Sequence, residues 1–283
     1  MAYDDTKINW DYCQSNSEKI LAEGLYHFHT DDSKKNCDIS GNYLIKYAGI
    51  PYYIGEAEDI SKRLKTQFSL NQSTFYKNYL KYCSISNEVK PLNIEEFQVQ
   101  FIETKIGRKE IEEFGIVNLP TILNKFQKGK RKKTEPAKSY KLWEDVQNNN
   151  TNLFLEGEEL FLNQNPIAWN KAIIPKSPGV YRVLDVDKQL IYIGESSNIN
   201  TRYITHSNSK NTYFSALRRH IATEKLGLEL INKRKLTEEN ESKVNKYLSQ
   251  CKIDYMKMMF GRYEFEKFLI KKHSPKLNRK DNK

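Results

Sequence analysis

The sequence predicts an α+β fold made of two similar units, because it contains an internal repeat with paired short strands and helical segments in each copy. The motif Tyr-Ile-Gly-Glu occurs at Tyr53–Glu56 and again, 139 positions later, at Tyr192–Glu195. A second motif, Gly-Arg-x-Glu-x-Glu, occurs at Gly107–Glu112 and again, 154 positions later, at Gly261–Glu266. Two blocks that each keep a constant offset indicate a duplication, and its period is far too long for a solenoid.

Each unit is expected to start its sheet with a hairpin. Residues 180–184 and 190–193 are short β-branched and aromatic runs separated by a polar turn, and residues 43–47 and 52–54 are arranged in the same way. These segments predict two adjacent antiparallel strands in each unit.

A helix, a third strand and another helix are expected after each hairpin. Apolar residues one helical turn apart predict the first of these helices, as at Ile60 and Leu64. Alternating apolar residues predict the third strand, around residues 97–101 and 253–255. Each third strand leads into the Gly-Arg-x-Glu-x-Glu helix. We therefore expect each unit to be a small antiparallel three-stranded sheet flanked by helices.

The repeats also predict the domain boundaries. The first domain is expected at residues 1–126 and the second at residues 153–283. Between them, residues 127–152 are basic and asparagine-rich without apolar periodicity, which predicts a linker. This linker is either a solvated tether or a segment that contacts phosphates. The charged stretch around residues 232–236 also has two interpretations, contact with a nucleic-acid groove or a solvated helical excursion.

Length and charge narrow the class of function. At 283 residues the chain is long enough for two domains with their own cores, and its 38% apolar content is typical of folded protein. A net charge of +10 indicates a polyanionic partner or, alternatively, a lysine-rich solvated surface. No apolar run approaches the ~20 residues that cross a bilayer, and the N-terminus lacks a signal-peptide pattern. We therefore expect a cytoplasmic protein that does not bind membranes.

The residue types kept in both copies indicate phosphodiester hydrolysis. Both copies keep two hairpin tyrosines, an arginine, a helix glutamate and a terminal asparagine, whereas core packing alone would keep only apolar periodicity. A carboxylate can hold a hard divalent cation, an arginine can stabilise charge on a phosphate, and a phenol with a perturbed pKa can help activate water. The neighbouring glutamates Glu110 and Glu264 are expected to be exposed, because two positions along a helix turn a side chain to another face.

These motifs resemble those of the GIY-YIG nuclease family, in both units. The second unit has Gly-Val-Tyr at residues 179–181 and Tyr-Ile-Gly at residues 192–194, and its closing stretch at residues 266–278 is similar to the family's glutamate helix and terminal asparagine. In the first unit the resemblance is less literal, with Gly-Asn-Tyr at residues 41–43 as the first half of the motif. The resemblance implies two tandem GIY-YIG units and an endonuclease that depends on Mg²⁺ or Mn²⁺.

The resemblance assigns a role to each shared residue of the second unit. Tyr181 would act on the attacking water, with Tyr192 beside it, and Arg202 would contact the scissile phosphate. Glu266 would bind the single divalent metal ion, and Asn278 would support the site. The same mapping implies a corresponding set in the first unit, with its glutamate as the metal ligand: Tyr43, Tyr53, Arg63, Glu112 and Asn124.

A histidine distinguishes the two units. The segment Arg202–His206 resembles the Arg-x-x-x-His segment of GIY-YIG restriction endonucleases, in which the histidine assists the tyrosine or the substrate. The first unit has Gln67 at the matching position. Its segment Tyr53–Leu64 is similar to the nuclease part of the bacterial excision-repair incision subunit, which works without that histidine.

Three functional classes follow from these observations. We expect a restriction endonuclease that acts on double-stranded DNA as a single-chain pseudo-dimer, with one unit cutting each strand, in a monomeric or homodimeric protein. The alternative is a one-site nicking or repair-type nuclease whose first unit is a DNA-binding pseudo-nuclease. The third class is a non-enzymatic nucleic-acid binder with two decayed sites, and the complete residue set of the second unit argues against it.

Overall fold

The computed structural model describes residues 8–30, 38–69, 73–83, 92–124 and 133–278, apart from the side chains of residues 29–30. The chain divides into two compact units, Met1–Thr151 and Asn152–Lys283. Each unit contains an antiparallel sheet flanked by helices, which confirms the predicted α+β fold class. Within the described ranges, no helix is both long enough and apolar enough to cross a membrane.

The first unit alternates helices with the strands of its sheet. Its helices are α1 (Trp10–Ser15), α2 (Ser17–Leu25), α3 (Ile60–Phe68), α4 (Thr74–Tyr82), α5 (Arg108–Asn118) and α6 (Lys141–Asn148). Its strands are β1 (His29–Thr30), β2 (Gly41–Tyr47), β3 (Ile50–Ala57) and β4 (Gln98–Glu103). A short 3₁₀ helix, Ile94–Glu96, precedes β4. Apolar side chains from β2, β3, β4, α3 and α4 form one buried cluster on this sheet.

The second unit follows the same order of elements. Its helices are α7 (Asn150–Leu162), which starts at the boundary between the units, α8 (Ile199–Asn208), α9 (Ala216–His220), α10 (Glu238–Gln250) and α11 (Arg262–His273). Helix α9 continues as a π-helical turn, Ile221–Lys225, and 3₁₀ helices lie at Trp169–Lys171 and Thr212–Phe214. Its strands are β5 (Ile167–Ala168), β6 (Gly179–Leu184), β7 (Leu190–Ser196) and β8 (Lys252–Lys257).

The two sheets have the same topology. The strand order is β1-β4-β2-β3 in the first and β5-β8-β6-β7 in the second, with antiparallel pairing throughout. The three strands predicted in each unit are therefore present, and each sheet has an additional two-residue edge strand that is too short to leave a periodic signal. In both hairpins the register of the strand pairing shifts at one residue, Tyr52 in the first and Ile191 in the second. Each of these residues immediately precedes the second tyrosine of the motif.

Glycines are required at two repeated positions of the fold. At the start of the central strand, a Cβ on Gly41 or Gly179 would overlap a backbone carbonyl oxygen of the third strand. Between the third strand and the last helix of the motif, Gly107 and Gly261 have φ of 98° and 77°, a left-handed conformation that disfavours side chains. The repeat therefore keeps these glycines for reasons of backbone geometry.

The linker prediction is wrong for the end of the segment. Residues 141–152 are helical, and Trp143 and Val146 of α6 are buried. The Trp143 ring lies against Gly24 of α2, where a Cβ would overlap it. The spacing of these buried residues is helical, but the surrounding asparagines and charged residues hide it in the sequence. The basic run at residues 125–132 lies outside the described residues.

The prediction that Glu110 and Glu264 are exposed is also wrong. Glu110 is fully buried, and Glu264 is only 9% exposed. Both occupy the first turn of their helix, next to the buried arginines Arg108 and Arg262. The unpaired N–H groups at a helix N-terminus favour a carboxylate, so burial costs less at this position than elsewhere on a helix.

A buried polar pair explains why the first unit has asparagine inside its first half-motif. Asn42 is fully buried, and its Nδ2 donates to the Arg108 carbonyl oxygen at 2.8 Å. The Thr104 hydroxyl donates to Asn42 Oδ1 at 3.0 Å. At the equivalent places the second unit has Val180 and Met258, both fully buried. At this position of the core the first unit has a hydrogen-bonded polar pair, and the second unit has an apolar pair.

Asn42→Val is expected to destabilise the first unit by about 1–3 kcal/mol, because it removes the buried hydrogen bonds of Asn42 with the Arg108 carbonyl and the Thr104 hydroxyl. The double variant Asn42→Val/Thr104→Met copies the apolar pair of the second unit and should recover part of this loss. Hydrogen exchange of β2 measured in urea reports the change, and exchange of β6 in the same molecule is the internal control. Equal protection of β2 in the wild-type chain and the single variant would contradict the prediction.

Candidate active site

The two hairpin tyrosines of the second unit lie side by side on neighbouring strands. Tyr181 in β6 is paired with Gly194 of β7, and the ring centroids of Tyr181 and Tyr192 are 6.2 Å apart. The Tyr181 phenol covers Gly194 so closely that a Cβ there would overlap its hydroxyl group. The glycine of the second half-motif is therefore required by the tyrosine of the first half.

His206 belongs to a chain of hydrogen bonds that ends on Tyr181. Tyr181 Oη and His206 Nε2 are 2.7 Å apart, and His206 Nδ1 and Ser215 Oγ are also 2.7 Å apart. Burial, together with the positive charges of Arg202 and Arg218, lowers the pKa of His206 to about 3. The imidazole is therefore neutral at pH 7, with one nitrogen as a donor and the other as an acceptor.

Hydrogen bonds that involve backbone groups hold His206 and Ser215 in place. Ser215 caps α9 by accepting a hydrogen bond from the Arg218 backbone N–H. The Arg218 side chain is fully buried, and its Nη1 donates to the carbonyl oxygens of His206 and Ser207, each at 2.9 Å. The C-terminal end of α8 and the start of α9 are thereby fixed around His206.

Arg202 lies one helical turn before His206 on α8, and both side chains lie near Tyr181. Asn198 caps the start of this helix, and its side chain accepts the Thr201 backbone N–H at 3.1 Å. Residues four apart on a helix share a face, so Arg202 and His206 approach the hairpin together. The Arg202 guanidinium donates from Nη1 to the Phe214 carbonyl oxygen at 3.3 Å.

Charged groups converge on Tyr181 from three elements. Burial raises the pKa of Tyr181 well above its ordinary value, and the Tyr192 phenol raises it further. The positive charge of Arg202 lowers it, whereas the carboxylates of Glu266 and Glu195 raise it. The fold therefore brings the predicted residues of β6, β7, α8 and α11 into one site, and Tyr181 is a neutral phenol at pH 7.

The Glu266 carboxylate is oriented by the motif itself. Glu266 Oε1 accepts the backbone N–H of Glu195 at 3.0 Å. Glu195 Oε2 in turn accepts from Arg262 Nε at 3.0 Å, and the Arg262 side chain is buried. The arginine of Gly-Arg-x-Glu-x-Glu therefore holds the glutamate that follows Tyr-Ile-Gly, and this glutamate's backbone holds Glu266.

Asn278 acts on the backbone of β7. Its Oδ1 accepts the Ile193 N–H and its Nδ2 donates to the Ile193 carbonyl, both at 2.8 Å. The adjacent Leu277 N–H donates to the Ile191 carbonyl at 2.9 Å. These bonds position the strand segment that carries Tyr192 and Gly194.

Comparison with known proteins identifies this unit. Residues 168–283 match the family model of the GIY-YIG catalytic domain. The second unit is thus similar to the GIY-YIG catalytic domain over residues 168–283, and we refer to it as the GIY-YIG domain. No curated protein and no solved structure matches the chain. The match covers the second unit, so the tandem arrangement and the likeness to restriction endonucleases stay predictions.

The first unit repeats the geometry of the GIY-YIG domain with one change. Tyr43 is paired with Gly55, whose Cβ position the phenol covers, and the ring centroids of Tyr43 and Tyr53 are 6.2 Å apart. In place of the histidine, Gln67 Nε2 donates to Tyr43 Oη at 2.8 Å. The Ser73 hydroxyl caps α4 and donates to the Gln67 backbone carbonyl. An amide thus occupies the position that the imidazole has in the second unit.

Arg63 and Glu112 of the first unit line a polar cavity of about 160 Å³ together with the two tyrosines. Burial raises the pKa of Glu112 to about 7, with further upward contributions from Glu56 and Glu113. The charge of Arg63 acts in the opposite direction. The cavity is lined by the following side chains: Tyr43, Tyr53, Glu56, Arg63, Thr66, Gln67, Ser73, Thr74 and Glu112.

Asn124 repeats the backbone clamp of the GIY-YIG domain. Its Oδ1 accepts the Ile54 N–H at 2.9 Å and its Nδ2 donates to the Ile54 carbonyl at 2.8 Å. Leu123 N–H donates to the Tyr52 carbonyl at 2.8 Å, as Leu277 does to Ile191 in the second unit. Asn124 and Asn278 therefore make equivalent hydrogen bonds to the backbone of the two units.

Sequence reasoning missed three kinds of residue in these sites. The glutamates Glu56 and Glu195 and the arginines Arg108 and Arg262 form equivalent ion pairs, and the Arg108 pair joins Nη1 to Glu56 Oε2 at 3.5 Å. The repeat contained this signal, because all four residues recur at the constant offsets. Ser215 left no comparable signal, since it lies in the connection between α8 and α9, outside the blocks that keep a constant offset.

The oxygen donors of both sites fit a hard divalent cation. Within the described part of the chain, no group of three or more His, Cys, Asp or Glu residues is arranged to hold a metal ion. One carboxylate per site suits Mg²⁺, which keeps several of its waters and needs few protein ligands. In the first unit burial is the main cause of the raised pKa of Glu112, with Glu56 as a further cause, and a bound cation would favour the ionised carboxylate.

The pKa of His206 predicts how the GIY-YIG domain responds to acid. The unfolded chain binds a proton on this imidazole below about pH 6.5, whereas the folded domain binds it only near pH 3, so the domain loses stability as the pH falls between these values. His206→Gln should remove about 3 kcal/mol of this pH dependence between pH 7 and pH 4. Urea unfolding followed by hydrogen exchange of β6 at pH 7 and pH 4 measures the difference. The same acid sensitivity in both proteins would contradict the prediction.

Proposed function

We propose that this protein is a divalent-metal-dependent DNA endonuclease, and that its GIY-YIG domain cuts with Tyr181, Arg202, His206 and Glu266. The hydrogen bond between the Tyr181 phenol and the His206 imidazole carries this proposal. It pairs a hydroxyl that can take a proton from water with a neutral base that can accept the proton of that hydroxyl.

The chain's own residues move the proton away from the attacking water. As the water oxygen forms its bond to phosphorus, its proton passes to Tyr181 Oη, and the phenol proton passes to His206 Nε2. The bond between phosphorus and the leaving oxygen then breaks, its electron pair stays on that oxygen, and the oxygen takes up a proton from water. Glu266 would hold a Mg²⁺ or Mn²⁺ ion, which supplies positive charge to the phosphate oxygens.

Arg202 connects phosphate binding to this proton transfer. Its guanidinium would pair with the scissile phosphate, because arginine and phosphate form charge-assisted hydrogen bonds. The same positive charge lowers the pKa of His206 and of Tyr181 in the free protein. Once a phosphate neutralises it, the imidazole becomes a stronger base. The base would therefore become fully effective only when substrate is present.

We propose further that the protein is a restriction endonuclease in which the first unit supplies the second active site of a single-chain pseudo-dimer on double-stranded DNA. The supporting observation is that Tyr43, Tyr53, Arg63 and Glu112 line one polar cavity of the first unit. The Arg202–His206 segment supports the restriction role by its resemblance to that group of nucleases. Two sites in one chain would cut both strands in a monomer.

A specific contact favours the alternative, in which the first unit is a DNA-binding pseudo-nuclease and the protein nicks DNA. The Gln67 amide donates to Tyr43 Oη, and its Oε1 has no hydrogen-bond partner. If the amide were reversed, Oε1 would accept from the phenol, but an amide does not take up a proton in either orientation. Tyr43 therefore lacks the proton acceptor that Tyr181 has.

Single glutamate variants separate these two proposals. In the pseudo-dimer, Glu112→Gln and Glu266→Gln each convert the linear product of plasmid cleavage into nicked circles, because each removes the metal-binding carboxylate of one site. The assay is digestion of supercoiled plasmid with Mg²⁺, resolved by gel electrophoresis. Linearisation at the wild-type rate by Glu112→Gln would exclude a catalytic first unit, and a rate that then rises with protein concentration would show that two chains cooperate.

Exchanging the residues at the histidine position tests the proton path. His206→Gln in the Glu112→Gln background should lower the nicking rate about 100-fold or more, since the amide keeps the hydrogen bond but cannot accept a proton. Gln67→His in the Glu266→Gln background should raise the nicking rate of the first unit. Unaltered DNA binding at low salt in both proteins is the control. An undiminished rate with His206→Gln would remove the imidazole from the mechanism.

A further inference from the structure

Two exposed aromatic side chains lie beside the active-site arginine of the GIY-YIG domain. Tyr213 is 62% exposed and Phe214 is 58% exposed, although they are adjacent in sequence and large. Their rings are nearly perpendicular, with centroids 5.3 Å apart. The Phe214 carbonyl oxygen accepts the hydrogen bond from Arg202 Nη1 at 3.3 Å. We call this pair, Tyr213 and Phe214, the aromatic platform.

The aromatic platform is anchored on both sides by buried residues. Thr212 and Ser215, which flank it, are fully buried. Thr212 donates from its backbone N–H and its hydroxyl to the Arg234 carbonyl oxygen, at 2.7 Å and 2.8 Å. Ser215 is bonded to His206, as described above. The platform is therefore presented rigidly to solvent on a 3₁₀ turn, and a ligand would bind it at little cost in ordering.

The charged stretch at residues 232–236 supports the same surface. The Arg234 guanidinium lies over the Tyr213 ring, 5.0 Å from its centroid. The neighbouring side chains of Lys233 and Lys235 are exposed. A turn with φ of 49° at Asn232 and 59° at Lys233 brings this stretch back alongside the platform. The Tyr213 ring thus carries one arginine, with two exposed lysines next to that arginine in the chain.

Aromatic rings among cations, next to a phosphate-binding arginine, fit a nucleic-acid base more closely than a protein partner. Base–aromatic stacking is tolerant of sequence, because every base has a π-face, and flanking lysines and arginines pair with the adjacent phosphates. In a duplex the ring must enter between two base pairs, which unstacks that step and bends the helix. We propose that the aromatic platform stacks on a base of the DNA beside the scissile phosphate and opens that base step.

This inference rests on the proposed function and gives the platform a positioning role in it. Because Phe214 and Ser215 are bonded to Arg202 and His206, a base on the platform would set the distance between the DNA and these two residues. In the first unit the corresponding connection runs from residue 69 to Ser73, and residues 70–72 lie outside the described residues. That connection contains no aromatic residue.

The experiment compares the aromatic platform with a matched exposed residue. Plasmid digestion by the wild-type chain first maps a cleavage site. A duplex of that sequence, with 2-aminopurine placed next to the scissile phosphate or several base pairs away, is then titrated with Glu266→Gln protein. The variants are Tyr213→Ala/Phe214→Ala, the conservative Tyr213→Phe, and the control Ile173→Ala, whose side chain is 88% exposed on the same unit.

The double alanine variant should bind the duplex about 10-fold more weakly and lose the fluorescence change of the 2-aminopurine beside the scissile phosphate. Tyr213→Phe and Ile173→Ala should keep both. The distant 2-aminopurine should not respond in any protein. If the wild-type chain cuts DNA but the double variant keeps both the affinity and the fluorescence change, this inference is overturned and the proposed function stays intact. A wild-type chain that neither binds nor cuts DNA would overturn both.

Discussion

The contact between a buried tyrosine ring and a glycine on the neighbouring strand determines most of the site. In each unit the phenol of the first half-motif, Tyr181 or Tyr43, covers the glycine of the second half-motif. A larger residue at Gly194 or Gly55 would displace the ring. Because the phenol is buried, its hydroxyl needs a hydrogen-bond partner inside the protein. That partner comes from the helix after the hairpin, and the spacing between motif and helix follows from this requirement.

The two units share this geometry but differ in the side chain that bonds the buried phenol. The Glu–Arg ion pair behind the hairpin and the asparagine clamp on its backbone are equivalent in both. The partner of the phenol is a neutral imidazole in one unit and an amide in the other. An amide satisfies the same hydrogen bond, so packing tolerates either residue. Structural equivalence of the sites therefore does not establish equal chemistry, which depends on a single side chain.

Much of the fold and of the site could be predicted from the sequence. The hairpins, the third strands and the helices that carry Arg202 and Glu266 leave periodic or repeated signals, and the structure contains them at these places. Helix α6 was missed because polar residues surround its two apolar anchors. The burial of Glu110 was missed because helical periodicity describes one face of a helix and ignores its N-terminal end, where backbone N–H groups favour a carboxylate.

The sequence by itself determined which residues recur in the two units, because the same residue types stand at constant offsets in both. It therefore predicted one site from the tyrosines, the glycines, Glu266 and Asn278 together. Only the tertiary structure decided how these residues interact: that Ser215 holds His206, that Arg262 holds Glu195, and that Tyr213 and Phe214 stand exposed beside Arg202. These partners belong to different elements or to an irregular loop. Their contacts form on folding and leave no periodic pattern in the chain.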